Sequence, residues 1–481
     1  MAQYVDGMRA PLVIHNSQEA YRYDDEFTVT LEDWYHDESP VLLERYKSRY
    51  NPSGAEPSPQ AVLINQMITP SFSVGPNTTY RVRIINMSAL TMFYFLIDGH
   101  EMDVIEVDGV DVEKYRAEKG IPVSAAQRYS VLITTRNSTS QNFLMRAYAD
   151  PGMIDQMDPL LEPLMNSTAT IVYNQSVPLS ATDPVPLIWD ADGMFPMDLE
   201  DTVYRPLEVI PSNGPVKDEN RIVLNVNFDL MTDGVGLLYD SWRNVGVLPS
   251  LTCLFFCRVS WLCAHFPAAA QPRDPKVPTL LTALTMGEDA ANPVVYGRHT
   301  NAFVINHGEE IELVVNNWDE GTHPFHLHGH VFQVLGVGEG GYDWRANPVQ
   351  EQPNPARRDT IMIPAGGHAV MRFTANNPGA LFHCHIEWHM ENGLVATFIE
   401  APLEAQKQMT LPQQALDHCT AQGIFPGMNA AKAQGLDMSN DHDGPQPLPG
   451  VFDGRGIIAF AFSAITAAMG ISVTSWYGCN S

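Results

Sequence analysis

Seven of the sixteen histidines fall in two short runs, His323-Pro324-Phe325-His326-Leu327-His328-Gly329-His330 and His383-Cys384-His385-Ile386-Glu387-Trp388-His389. Imidazole suits copper, zinc and iron, and a thiolate with two imidazoles in a trigonal arrangement is the donor set of a blue-copper site. Cys384, His389 and His323 supply that set. Successive side chains of a strand alternate faces, so His383 and His385 are expected to point one way and Cys384 the other. One tripeptide can thus join two metal sites, and an electron accepted at Cys384 can pass along its backbone to metals on the flanking histidines. A zinc hydrolase also uses His-x-His and His-x-x-His pairs, but it leaves Cys384 without a task. Histidines satisfied by solvent alone do not gather around a cysteine in this way. His330 is read as structural support rather than as a ligand.

The elements that must hold these residues are strands. The chain has 481 residues, 44% hydrophobic and 17% charged, enough to bury cores in two or three domains. From residue 25 to 175, runs such as Tyr80-Arg81-Val82-Arg83-Ile84 and Arg128-Tyr129-Ser130-Val131-Leu132-Ile133 alternate polar and apolar between Gly, Pro and Asn turns, which predicts a β-sandwich. Residues 176–220 are rich in Pro and Asp and read as an interdomain connection. A second β-rich block, 221–403, contains both histidine runs. Inside it, 245–272 is cysteine-dense, aromatic and free of acidic residues. Cys253, Cys257, Cys263 and His265 could be imagined as a zinc site there, but their spacing fits no standard pair of ligand pairs.

Residues 404–454, rich in Gln, Ala, Asp and Pro, read as a flexible stalk. Beyond it, 455–477 includes the uncharged run Gly456–Tyr477, long enough to cross a bilayer as one helix. A net charge of −28 repels phosphate backbones and excludes nucleic acid as a partner. Sequons at Asn77, Asn86, Asn137, Asn166 and Asn174 fit passage through a secretory pathway. The opening residues carry neither a basic nor an apolar leader segment, so the reading is either a cytosolic protein or one whose start is missing.

The two histidine runs resemble the third and fourth copper-binding motifs of the multicopper oxidases, the family of laccases, ascorbate oxidase and ferroxidases. The resemblance implies that His323, Cys384 and His389 hold a type 1 copper with Leu394 at the axial position. It assigns His326 to the type 2 copper and His328, His383 and His385 to the type 3 pair. The fold implied is all-β, tandem cupredoxin-like Greek-key sandwiches, three in the family. Tyr4-Val5-Asp6-Gly7-Met8-Arg9-Ala10-Pro11-Leu12-Val13-Ile14 is similar to the end of the first of these. Residues 1–24 are therefore expected to be its remnant, with the four histidines of the first two copper motifs absent and the oxygen-reducing cluster half built. The segment 245–272 interrupts a stretch that in the family runs directly on to a sequence like Lys276-Val277-Pro278-Thr279-Leu280, and a translated intron is the expectation there.

Within the family, the C-terminal apolar run resembles that of the fungal iron-uptake ferroxidases, which are anchored in the plasma membrane beside an iron permease. Glu56 and Asp319 match the acidic pair that binds Fe(II) there, and Asp155 matches a third acid more loosely. Hard carboxylate oxygens suit iron and favour its ferric state. Near Gly234–Leu237 that subfamily carries an aromatic residue; here Leu237 stands in its place, with Tyr239 two positions on. The expectation is a single-pass plasma-membrane ferroxidase with extracellular catalytic domains, Fe(II) and dioxygen as substrates and a permease as partner. A laccase-like phenol oxidase and an inactive, truncated copper-binding protein are the alternatives.

Overall fold

The structure, a computed structural model, describes residues 2–48, 50–51, 53–137, 140–154, 161–179, 202–212, 216–230, 237–243, 256–257, 277–297, 300–441, 458 and 460–469. Two β-sandwiches carry it. In the first, a six-stranded sheet runs in the order Ala61–Ile64, Asp25–Trp34, Thr79–Asn86, Arg128–Thr134, Asp103–Val107, Val110–Arg116. Facing it are Ser71–Ser73, Asn166–Val172, Phe143–Ala149, Phe93–Ile97 and Ile121–Val123. In the second, the larger sheet runs Phe256–Cys257, Leu237–Arg243, Arg221–Leu230, Glu310–Asn317, Gly367–Thr374, Phe332–Glu339, Ala356–Arg358. Its smaller sheet runs Ala302–Ile305, Val395–Glu400, Ala380–Cys384, His323–Leu327, Thr360–Ile363. Asp25–Trp34 lies parallel to Thr79–Asn86, and Arg221–Leu230 parallel to Glu310–Asn317. A hairpin cannot make such a neighbour, so the chain crosses between sheets in both units, as Greek keys do.

The two sandwiches share one plan, and its register shows which of them was made to hold metal. Phe325 pairs with Ile361 and with Cys384, just as Phe95 pairs with Ile121 and with Ala147. On this correspondence Phe93 of the first sandwich stands where the second has His323, and Ala147 where it has Cys384. The first sandwich thus fills with apolar groups the place that the second uses for donors. Its core joins Val82, Ile84, Val131 and Ile133 to Phe93, Phe95 and Met145. In the second, Phe325, Phe382 and Phe398 stack in series, with ring centroids 5.0 and 5.9 Å apart, under Leu313, Val315 and Met371. Each such side chain contributes about 1.5–3 kcal/mol by leaving water, and together they make a rigid floor for Cys384.

That core does not stop at the domain edge. Trp388, buried, meets Tyr35 and Tyr46 edge-on at 5.6 and 6.1 Å, so the Ser39–Tyr46 helix of the first unit closes over the second. Residues 4–9 lie in the same seam. Tyr4 packs edge-on to His385, Asp6 accepts both the backbone and hydroxyl donors of Ser39, and Arg9 reaches the carbonyls of Met87 and Asp33. The described part of the 176–220 connection, 202–212, spans both sandwiches. Glu113 and Leu207 exchange strand-like bonds with Arg205 and Asp111, Tyr204 is buried in the first core, and Ser212 pairs with Gln352 of the second.

Two expectations are corrected. Residues 404–441 are not a flexible stalk. Pro402–Gln408 and Gln413–Ala421 are helical, and Leu411, Leu416, Cys419, Ile424 and Met428 pack on Val277 and Leu281. Polar side chains here satisfy backbone carbonyls instead: Gln406 bonds Ala283 and Gly287, and Asn429 bonds Gly435 and Asp437. Asn86 is no glycan acceptor in the folded chain, because its buried amide is spent on Thr91, Val123 and Ser88; the other four sequon asparagines are exposed. No helix among the described residues is long and apolar enough to cross a membrane. Of the expected span only 458 and 460–469 are described, helical and exposed. The side chains of 245–272 and the residues 442–457 lie outside the described part.

Candidate metal centre

Six of the seven histidines fall into two groups, set on opposite faces by strand alternation. On His323–Leu327, the side chains of His323, Phe325 and Leu327 share the core face, leaving His326 and the following His328 opposite. On Ala380–Cys384, Phe382 and Cys384 face the core and His383 turns away. The antiparallel register sets Phe325 across from Cys384 and His326 across from His383, so like faces like. Gly329 makes the turn that ends the first run: its φ is +69°, and a Cβ there would come within 2.6 Å of the Asn377 amide.

On the core face, His323 Nδ1 lies 3.8 Å and His389 Nδ1 3.6 Å from Cys384 Sγ, and the two nitrogens are 3.1 Å apart. All three residues are buried. His389 returns to the site because the short Glu387–Glu391 helix turns the chain back immediately after Cys384. Leu394 is bonded to both, its carbonyl accepting from Cys384 N and its amide donating to His389 O, each at 3.0 Å. Its buried side chain shares the apolar cluster around Cys384 and offers no donor atom.

The outward nitrogens of both rings meet carboxylates. His389 Nε2 is 2.6 Å from Glu56 Oε1, and His323 Nε2 is 2.9 Å from Asp319 Oδ2. Glu56 comes from the first sandwich, on a loop pinned by Asn51, whose amide bonds the carbonyls of Tyr46 and Ala55. Asp319 follows the Glu310–Asn317 strand of the second, in a loop tied by Asn317 to Gly321 and Pro364. Their side chains keep 14% and 18% of their exposure, whereas the histidines behind them keep almost none. A small ion from solvent can reach the carboxylates but not the sulfur.

Electrostatics follow from this nesting. Burial disfavours charge on His389, but the Cys384 thiolate and Glu56 outweigh it and hold the ring up at about 10. Burial likewise opposes the Cys384 thiolate, and the two imidazoles bring the thiol down to about 7. Burial pushes Glu56 and Asp319 upward, and their histidine partners win, leaving both below their ordinary values of 4.5 and 3.8. A carboxylate with a depressed folded pKa adds stability that is complete above its unfolded value and lost as pH falls through the folded one. The melting temperature of the metal-free protein is therefore expected to drop on acidification below about pH 4.5, with a smaller drop in Glu56→Gln. Parallel melting curves for the two proteins across that range would refute the pairing.

On the opposite face four imidazoles converge. His328 Nε2 and His383 Nε2 are 3.0 Å apart, and the His326 centroid lies 5.1, 5.9 and 5.8 Å from those of His328, His383 and His385. Burial first, then neighbouring imidazoles, lowers His328 to about 4 and His385 to about 3 and drives His383 down as well. All three are held toward the neutral form, the one in which an imidazole nitrogen can ligate a metal. His383 Nδ1 lies 2.8 Å from the Cys384 carbonyl, which fixes the ring with Nε2 toward His328. His330 lies apart, paired with buried Glu400 at 2.6 Å. The zinc alternative gives no use to a thiolate placed between two such sets.

Asp155 lies outside the described residues, as do the side chains of Leu237 and Tyr239. Two features were not anticipated from the sequence. Asp359 and Thr360 hold His326 from behind. Glu387, two residues past His385, is pushed up to about 8 by burial and then by the charge of Glu391. Its place within the second histidine run was the available signal.

Two family models, both described as multicopper oxidase, match residues 25–176 and 272–404. The iron transport multicopper oxidase fetC of Epichloe festucae is 40% identical to the chain over 490 residues, spanning 99% of it and 72% of that protein. The iron transport multicopper oxidase FET3 of Gibberella zeae is 39% identical over 486 residues, with the same two coverages. Among solved structures, Fet3p, described as a multicopper oxidase that functions in iron import, superposes with a TM-score of 0.78 at 32% identity, covering 94% of this chain and 79% of that one. The laccase of Botrytis aclada shares the fold, with a TM-score of 0.63 at 20% identity over 88% of this chain and 71% of that one.

Proposed function

The chain belongs to the multicopper oxidases, and on that premise we propose that it is a ferroxidase of iron uptake. It couples one-electron oxidation of Fe(II) to four-electron reduction of dioxygen to water. The observation that carries this reading is the placement of Glu56 and Asp319. One carboxylate from each sandwich caps the outward nitrogen of a histidine whose inward nitrogen faces Cys384.

The residues present fit copper at both places: a thiolate with two imidazole Nδ1 atoms and an apolar fourth side for type 1, and His326, His328, His383 and His385 as the share of the type 2 and type 3 ligands that the third and fourth motifs supply. Copper, when bound, supplies one-electron redox chemistry at the first set and dioxygen reduction at the second. The remaining work is done by the chain. Glu56 and Asp319 receive ferrous iron through hard oxygens and favour the ferric product, which lowers the iron couple and promotes electron loss. The iron's electron enters at the imidazoles hydrogen-bonded to those same carboxylates. From Cys384 the covalent route to either flanking histidine is a single peptide link, and the Cys384 carbonyl also contacts His383 Nδ1 directly. Burial keeps water from the sulfur.

The reading extends to an external, membrane-tethered protein whose partner is a permease that takes up the ferric product. Its support is the uncharged run 456–477, the exposed Phe460, Phe462, Ile465 and Met469 on the helix at 460–469, and four exposed sequon asparagines. The test is an oxygen electrode trace of the full-length holoprotein. Ferrous iron is expected to drive oxygen uptake in the ratio of four irons to one dioxygen, with a specificity constant far above that for bulky phenols. A phenol preferred over iron would replace this reading with a laccase-like one.

A further inference from the structure

The two sandwiches are joined at the back of the histidine cluster by four charges, two from each, paired crosswise. Arg128 of the first unit grips Asp359 of the second with both terminal nitrogens, at 2.6 and 2.7 Å. Arg358 of the second reaches Asp108 of the first at 3.1 Å. Asp108 also accepts the amides of Arg128 and Thr360, and it takes a left-handed backbone, φ 47°, in the turn between its two strands. Arg358 and Asp108 are almost wholly buried. Buried pairs of this kind seldom stabilise a fold more than apolar packing of the same volume, so their presence here asks for a task beyond adhesion.

Asp359 and Thr360 show what that task is. His326 Nδ1 stands 3.0 Å from the Asp359 carbonyl, 3.1 Å from Thr360 Oγ1 and 3.5 Å from Asp359 Oδ1. The Thr360 hydroxyl donates to Asp359 Oδ1, so its oxygen is left to accept. Every atom facing Nδ1 is thus an acceptor. The ring is held as the Nδ1–H tautomer with Nε2 turned to the cluster, which is the form a metal ligand needs. One oxygen of the carboxylate behind it is shared between the Thr360 hydroxyl and the arginine from the other sandwich.

We propose that the crossed couple of Arg128 with Asp359 and Arg358 with Asp108 is a positioning device that ties the tautomer and pose of His326 to the docking of the two sandwiches. Arg128, which touches neither ligand nor substrate, acts on the cluster through Asp359 and Thr360. A change of domain docking and a change of metal affinity at His326 are then one event, and each must alter the other. The inference rests on His326 being a copper ligand, and the test separates the two.

The experiment compares the wild-type chain with Arg128→Gln and with Arg128→Lys, which keeps the charge but lacks the two-pronged grip. In the metal-free chain with ¹⁵N-labelled histidines, wild-type His326 is expected as a fixed Nδ1–H tautomer and the Gln variant as a mixture. Calorimetry is expected to show the two sandwiches unfolding together in wild type and separately in Arg128→Gln. Copper(II) added alone is expected to bind the non-blue sites of the Gln variant ~10–100-fold more weakly, while the blue absorption at Cys384 is retained. Arg128→Lys should fall between, and it serves as the test if the Gln variant does not fold. An unchanged tautomer, or unchanged non-blue copper affinity in a variant whose domains have uncoupled, overturns the proposal. If instead the tautomer and docking shift together while wild type binds no non-blue copper, the coupling stands and the copper assignment of His326 falls.

Discussion

Cys384→Ser is expected to abolish the intense visible absorption of the copper-loaded protein and to reduce iron oxidation to the uncatalysed rate. Serine matches cysteine closely in size, so the core around it, Phe382, Phe325 and Leu394, is undisturbed. A single buried substitution of this kind leaves stability within about 1–2 kcal/mol. What it removes is the soft donor. The two imidazoles bring the thiol down to about 7, whereas an alcohol stays protonated at neutral pH and offers a hard oxygen in its place. His323 and His389 remain, but two imidazoles alone lack the thiolate that defines a blue-copper site and that forms the chain's shortest link to His383 and His385. The four-imidazole cluster should still take copper and give a non-blue paramagnetic signal. The checks are an absorption spectrum, an electron paramagnetic resonance spectrum and a ferrozine assay on one preparation. Iron oxidation surviving at even a tenth of the wild-type rate would mean that electrons reach the cluster without Cys384.

How far the site could be read from the chain depends on whether its geometry is local. Cys384 between His383 and His385 was legible because strand alternation acts over one residue, and the division of His323 from His326 and His328 follows from the same rule. The fold class was legible for a like reason, since period-two patterning recurs along both blocks. That the two sandwiches share one strand order was not. Phe93 and Ala147 occupy the places of His323 and Cys384 through pairing register, which leaves no identical residues to compare. The crossed couple was equally hidden, because Arg128 and Asp359 are 231 positions apart and each is an ordinary charge in its own segment. The residues after 404 misled by composition. Gln reads as solvated when counted, yet Gln406 is spent on backbone carbonyls, as Asn429 is.

The largest effect outside the copper ligands is expected from Glu56→Ala combined with Asp319→Ala: the specificity constant for ferrous iron should fall on the order of 100-fold, with oxidation of a bulky phenol held within about threefold. The two acids have two tasks that this comparison separates. Each accepts from a histidine that faces Cys384, and each presents a partly exposed oxygen to solvent. If their main work is to orient the rings, every donor of electrons suffers alike, because every electron enters behind them. If it is to bind iron and favour its ferric state, only the hard cation loses its seat; a neutral phenol has no need of carboxylates. Water can replace either carboxylate as the acceptor for Nε2, since both sites open to solvent, so the rings should keep their pose and the blue absorption its position. The acids come from different sandwiches, which makes the iron seat a product of domain docking rather than of one loop. Each single variant should therefore lose less than the pair, with a deficit smaller than the sum of the two if both oxygens hold the same ion. Equal loss of iron and phenol activity, with a shifted blue band, would assign Glu56 and Asp319 to the histidines alone.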